Sequence, residues 1–355
     1  MKNPVIQCWE RCCVAVLLCA GGAAALAQEG QRIGEARDDA VAVQWLRRIQ
    51  TAGEQTHFTG TVMLQQGQET HASRIAHRFD QSGVQERVHA LDGEPHEFVR
   101  VNNEVRCLWP QARTVVVEWR AAQDNFPALF DGAAAEVLKH YQFTLGPVQR
   151  VAGQDCQVIE LTARDALRYG HRLCAAQSNG MLLSAQVLGE GKSVVEHMAF
   201  TDVQMAQTLD RSAVEPSWPT EGWRVDRTEH EPVDVHAAGW SFWVPEGFRR
   251  VREVLRKMNL RGEAKTAQAK AKAPPTPDVR AMQSVYTDGL ATLSVFIEPQ
   301  GAAAPAPVVD ERIYGQGATH ALSRQVGRAT VTVVGELPAT TVRKVAQSVE
   351  FQAVR

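Results

Sequence analysis

Between His57 and Val203 the chain alternates short period-two segments with clusters of turn residues, and this pattern limits the fold more than any other feature. In the run 58–64, the large side chains Phe58, Val62 and Leu64 sit at even spacings. A strand places such residues on one face. Further segments of this kind are 74–79, 84–90, 97–101, 105–109 and 114–119, then 148–151, 156–161, 169–175, 181–188 and 194–203. Asp80-Gln81-Ser82-Gly83 and Asp92-Gly93 supply turns between them. Roughly ten short strands in succession predict one large, strongly curved antiparallel sheet.

A helix precedes the sheet: after Asp38-Asp39, residues Val41, Trp45, Leu46 and Ile49 share a face, and Gly53 can end it. The strand pattern is broken once, by the apolar, Pro-containing segment 125–130, which leads into a helix around 133–141. That segment reads as a plug over the inner face of the sheet, or as a connector whose Phe residues complete the core.

Residues 211–238 carry Pro216, Pro219 and Pro232 in a charged, irregular stretch and read as an interdomain linker. Trp218 and Trp223 predict that it packs down. The large domain is therefore 28–210 and a small one is 239–355. The small domain opens on a strand at 240–244, ended by Pro245-Glu246-Gly247-Phe248. Hairpins follow at 281–297, around Asp288-Gly289, and at 319–334, around Gly327. Pro338 stands in the first turn of a closing helix with the stripe Val342, Val345, Ala346 and Val349. The expected fold is a small α+β domain, one antiparallel sheet crossed by one helix. The Ala/Pro-rich stretches 261–277 and 301–307 read as flexible.

The first 27 residues read as an export signal. Lys2 and Arg11 precede the apolar run 14–18, and Ala25-Leu26-Ala27 is a small-residue cleavage site before Gln28. The apolar stretch is shorter than the roughly 20 residues a membrane span needs. Without this segment Lys+Arg falls from 38 to 36 and Asp+Glu from 40 to 39, leaving a net charge of −3. Such a balance argues against nucleic acid, whose phosphates demand a basic face. The sequence leaves a homo-oligomer open.

Cys107, Cys156 and Cys174 remain after the signal, an odd number. If 162–168 is a hairpin loop, Leu161 faces Tyr169 and Cys156 faces Cys174. Opposed strand residues lie about 4.5–5.5 Å apart, within disulfide reach. Two small buried strand residues would look the same, and both readings stay open.

No nucleophile elbow, His-Glu-x-x-His, phosphate loop or dinucleotide fingerprint occurs. His57, His71, His77, His89 and His96 cluster in sequence, but their spacings match no zinc pattern. The expectation is a binding protein, with no enzyme activity, metal or cofactor. A half-closed barrel leaves apolar space inside. Candidate lining residues are Phe58, Val62, Leu64, Phe98, Leu108, Trp109, Phe126, Leu129 and Phe130.

Several stretches, in this order, resemble the RseB/MucB family of periplasmic regulators of the envelope-stress (sigma-E) system. They are Phe58-Thr59-Gly60-Thr61, Arg74-Ile75-Ala76-His77, Glu86-Arg87 with Leu91-Asp92-Gly93, and Arg150-Val151-Ala152-Gly153. Next come Arg164-Asp165 with Arg168-Tyr169-Gly170, and Phe200-Thr201. The last are Pro245-Glu246-Gly247-Phe248, Thr287-Asp288-Gly289-Leu290 and Val334-Gly335-Glu336-Leu337-Pro338. The resemblance implies a large domain like the lipoprotein-carrier folds, an unclosed antiparallel β-barrel with helices in its mouth, and a small C-terminal domain. It also implies a partner, the periplasmic segment of a transmembrane anti-sigma factor, shielded from proteolysis. A lipid or lipopolysaccharide-like ligand would release that partner, a reciprocal coupling of two ligands. For the partner we expect Tyr286, Asp288, Leu290, Glu336 and Leu337, read as exposed turns beside strands; for Asp288-Gly289 hairpin turn chemistry is the favoured role. The alternative is a lipid or lipoprotein carrier, against which the small domain argues. The inserts at 261–277 and 301–307 depart from the family's compact pattern.

Overall fold

Helix α1, residues 39–55, runs past Gly53. Its residues Ala42, Leu46 and Ile49, spaced by one turn, are fully buried, so the apolar stripe faces the sheet. The structure, a computed structural model, describes residues 39–119, 134–258, 279–299 and 311–352. The expected export signal 1–27, the candidates Phe126, Leu129 and Phe130, and the stretches 261–277 and 301–307 lie outside these residues.

The large sheet is built from β1 (His57–Gln66), β2 (Glu69–Asp80), β3 (Gly83–Ala90), β4 (Glu97–Val101), β5 (Glu104–Trp109) and β6 (Thr114–Trp119). After α2 (Ala134–His140) it continues with β7 (Tyr141–Val151), β8 (Gln154–Ala163), β9 (Gly170–Ala176), β10 (Leu182–Leu188), β11 (Val194–Ala206) and β12 (Arg224–Arg227). The strand order is β12-β6-β5-β4-β3-β2-β1-β11-β10-β9-β8-β7; among the described residues both ends are unpaired, so the sheet is unclosed. It curls strongly: β7 touches β11, four places away in that order. A register shift in β1/β11 after Thr61 marks one bend. Gly60 lies beside it, where a Cβ would stand 2.5 Å from the Asp202 carbonyl oxygen, so only glycine fits.

The small sheet has the order β13-β15-β16-β17-β20-β19-β18. Its strands are β13 (His230–Pro232), β15 (Arg249–Met258), β16 (Val279–Thr287), β17 (Thr292–Pro299), β18 (Ile313–Gln316), β19 (Thr319–Val326) and β20 (Ala329–Gly335). A separate two-stranded pair joins β14 (Trp240–Ser241) to β21 (Glu350–Phe351). Helix α3 (Ala339–Ser348) buries Val342, Val345 and Ala346 completely against Leu293, Val331 and Val333. Each of these Val and Leu side chains contributes about 1.5–3 kcal/mol on leaving water.

Four expectations change. Tyr141 opens a strand instead of closing a helix. The strand expected at 240–244 shortens to two residues. Residues 211–238 are not an irregular linker throughout: β12 pairs in parallel with β6, and β13 pairs with β15, so the chain is sewn into both sheets. Finally, Cys156 and Cys174 are bonded, but in a register shifted by two: Leu161 faces His171, and Cys156 faces Ala176. The bond runs diagonally between β8 and β9, across Cα atoms 5.3 Å apart. Cys107 is buried on β5.

Candidate functional site

Register assigns the candidate lining residues to faces. Phe58 pairs with His77, His77 with Glu86, and Glu86 with Arg100, two residues after Phe98. Phe98 pairs with Cys107, two residues before Trp109. Directly opposed residues share a face, as do residues two apart. Phe58, Val62, Leu64, Phe98 and Trp109 therefore share one face. It is also the face that α1 covers: Leu64 pairs with Met198, Met198 with Ala185, Ala185 with Leu173, and Leu173 packs with Leu46 of α1. Phe58 is fully buried in the core, whereas Val62, Leu64, Phe98 and Trp109 are half-buried.

Leu108 is a correction. It points to the opposite face, where Val99, Val115, Val117, Trp218 and Trp223 enclose it. The two tryptophans bring residues 211–223 down on that face. Glu97, fully buried there, accepts hydrogen bonds from the Ser217 N–H at 2.9 Å and the Ser217 hydroxyl at 2.8 Å. Arg87 and His89 stand 3.6 and 3.4 Å from its carboxylate.

The histidines go to separate partners. His57 stacks on Phe79, His77 on Phe58 and His96 on Trp109, while His71 lies 3.3 Å from Asp92. His77 is buried, which lowers its pKa, and its Nδ1 bonds the Thr56 carbonyl at 2.7 Å.

Beside His77 on the helix-covered face lies Glu86, which pattern reading passed over. It is buried, and its Oε2 has no hydrogen-bond partner among the described residues. Burial pushes its carboxyl up to about 7, against the pull of Arg100 opposite. A hollow of about 370 Å³ lies elsewhere, on the outer flank of α1, lined by Val43, Arg47, Arg48 and Asn179 among others.

The residues expected to meet a partner are mostly not at the surface. Asp288, Leu290 and Leu337 are buried, Tyr286 is half-buried against Phe242, and only Glu336 is exposed. The reason is the junction between the domains. The β16–β17 turn inserts into the large domain, where Leu290 joins the apolar cluster of Leu46, Val137, Leu138 and Leu161. Asp288 Oδ1 accepts from the Leu290 and Ala291 N–H groups of its own turn, at 3.0 and 2.8 Å. Its Oδ2 accepts from the Tyr141 hydroxyl and from Arg168 Nη1, both at 2.8 Å. The side chains of Arg168 and Asp288 are fully buried. Arg168 Nη2 also donates to the Glu246 carbonyl at 2.6 Å, and its Nε to Asp165. Gly247 has φ +86°, and any Cβ there would run into the His140 ring. Glycine is therefore required where the Pro245–Phe248 turn meets the large domain. His171 lies beneath the cluster; burial lowers its pKa to about 4 and keeps it neutral.

Tyr141, Arg168 and His171 were not among the expected site residues. Their signal was present in pieces: Arg168-Tyr169-Gly170, Pro245-Glu246-Gly247-Phe248 and Thr287-Asp288-Gly289-Leu290 are distant in sequence and meet at this junction.

Comparison with known proteins bears on both domains. The profile of the MucB/RseB N-terminal domain matches residues 41–218, and that of the MucB/RseB C-terminal domain matches 234–350. The sigma factor AlgU regulatory protein MucB of Pseudomonas aeruginosa is 29% identical over 318 residues, 88% of this chain and 92% of that protein. The sigma-E factor regulatory protein RseB of Escherichia coli K12 is 23% identical over 275 residues, 75% of this chain and 76% of that one. Among solved structures, MucB in complex with MucA(peri) aligns with TM-score 0.65 and 27% identity, covering 88% of this chain and 100% of that one. Matched in order through both domains, the chain belongs to the MucB/RseB family.

Proposed function

We propose that this chain is a periplasmic negative regulator of an envelope-stress sigma-factor system. It holds the periplasmic segment of a membrane-spanning anti-sigma factor, shields that segment from proteolysis, and lets go when a lipid-type ligand occupies the helix-covered face of the large sheet. The observation that carries this reading is the alignment, through both domains, with MucB solved in complex with MucA(peri). A carrier of lipid or lipoprotein would need only the large sheet, whereas this chain adds a second domain docked through a buried ion pair. The half-buried Val62, Leu64, Phe98 and Trp109 support the ligand face, since they offer apolar surface beside the core.

The test is retention of the purified anti-sigma segment from the same cell on the immobilised chain, followed by proteolysis of that segment with and without the chain. Retention with slowed cleavage is expected, and absence of retention would sink the reading. Adding lipopolysaccharide is expected to lower retention; unchanged retention would remove the lipid-release part alone.

A further inference from the structure

The small domain is attached at both unpaired ends of the large sheet. At one end β12 pairs with β6, and two residues later β13 enters the small sheet. At the other end Tyr141 opens the edge strand β7, and Arg168 stands in the β8–β9 loop; both hold Asp288. Near the middle of the strand order, Gln316 donates to Glu69 of the β1–β2 hairpin at 2.6 Å, and the Ala318 N–H donates to Glu196 of β11 at 3.3 Å. We propose that the small domain is a clasp across the open sheet, setting how far its two ends spread, and that the Asp288 turn is the releasable end of that clasp.

Three observations carry this. The first is the asymmetry of the attachments. The linker end is covalent. The contact between Gln316 and Glu69 is exposed, and surface contacts of that kind hold little. Among the described residues, the Asp288 end alone is a fully buried ion pair bonded at both carboxylate oxygens. The second is that such a contact has no stable half-open form. A partial separation would strip Arg168 and Asp288 of each other before water reached them. The turn is therefore seated or free, which makes it a two-state element. The third is where the turn sits. Leu290 belongs to the same apolar cluster as α1, α2 and strands β7 to β9, so seating it ties the small domain to the curl of that end of the sheet. A change in that curl must change the seating, and the reverse follows by linkage. The clasp goes beyond the function proposed above and does not depend on it.

The experiment is a pulsed electron–electron distance measurement on the chain from Gln28 onward, in a Cys107→Ala background that leaves only the bonded Cys156 and Cys174. Spin labels go on Arg150→Cys, at the exposed end of β7, and Glu221→Cys, just before β12. The parent is expected to give one narrow distance. Asp288→Asn and Arg168→Met are each expected to add a longer, broader population, the double variant to add no more, and Gln316→Ala to leave the distance as it was. An unchanged distribution in both single variants, with the circular dichroism of the parent, would overturn the clasp. Should both fail to fold, Tyr141→Phe keeps the ion pair and must still raise the long-distance population; no rise would equally overturn it.

Discussion

Asp288 and Glu86 are both buried carboxylates with an arginine alongside, and they have been left in different states. Asp288 accepts four hydrogen bonds, two from its own turn and two from the other domain. Glu86 faces Arg100 across β3 and β4, yet Arg100 Nε donates to the Asn102 carbonyl and Glu86 Oε2 has no partner among the described residues. Burial depth is similar, 5% against 7% exposed, so depth does not explain the difference. What differs is the supply of donors. A tight turn offers two backbone N–H groups aimed at one oxygen, while a carboxylate on a strand finds its neighbours' N–H groups already spent in the ladder. Asp288 can therefore act as a fastening in the interior, whereas burial raises the Glu86 carboxyl to about 7.

Removing the cation should break this contrast most sharply. Arg168→Met leaves the buried Asp288 with a single side-chain donor, Tyr141. Stranding one half of a buried pair costs about 3–5 kcal/mol. Urea unfolding at pH 7 measures it, and a loss below about 1 kcal/mol would mean the carboxylate has another route to neutrality.

At Glu86 the effect should run the other way with pH. Its folded pKa is raised from 4.5 to about 7, so between those values the folded chain keeps a proton that the unfolded chain releases. Stability from this group is full below about pH 4.5, falls as pH rises, and levels off above about 7. At about 1.4 kcal/mol per pH unit the loss is on the order of 3 kcal/mol. Glu86→Gln should remove that slope and leave the variant the more stable at pH 8 but not at pH 4. Parallel stability curves for the two proteins would refute it.

Tyr141→Phe is the mildest of the three. Burial, reinforced by the Asp288 carboxylate, pushes the phenol well above the usual tyrosine range, so it stays a donor throughout the physiological range. Losing one donor to a charged acceptor costs about 1.5–3 kcal/mol. Differential scanning calorimetry should show a smaller drop than for Arg168→Met; an equal drop would mean the hydroxyl, not the guanidinium, holds the turn.

These residues also mark where the sequence was readable. The alternation in β1 to β6 is plain because one face lies under a helix or core while the other is partly solvated. The same alternation separates Leu108 from Trp109, which are consecutive and cannot line one face. Strand β15 is hidden by its charges: Arg250, Glu253 and Arg256 look like a solvated loop until Glu253 meets Ser284 and Arg256 meets Glu118. Asp288-Gly289 is legible as a hairpin turn, but its burial is not. The groups that enclose it lie 120 and 147 residues away, and no local pattern carries that distance. The pairing of β12 with β6 has the same character, since it joins strands more than a hundred residues apart.

Thr228 and Glu229 alone separate β12 from β13. Two residues reach ~7 Å at full stretch. With its turn unseated, the small domain therefore remains next to its socket, at an effective concentration in the millimolar range set by a short tether. A free molecule that binds the socket no more tightly than the turn does would have to reach millimolar levels before it displaced the turn. A molecule already held by the chain would face no such threshold, so control of the turn belongs to whatever is bound first.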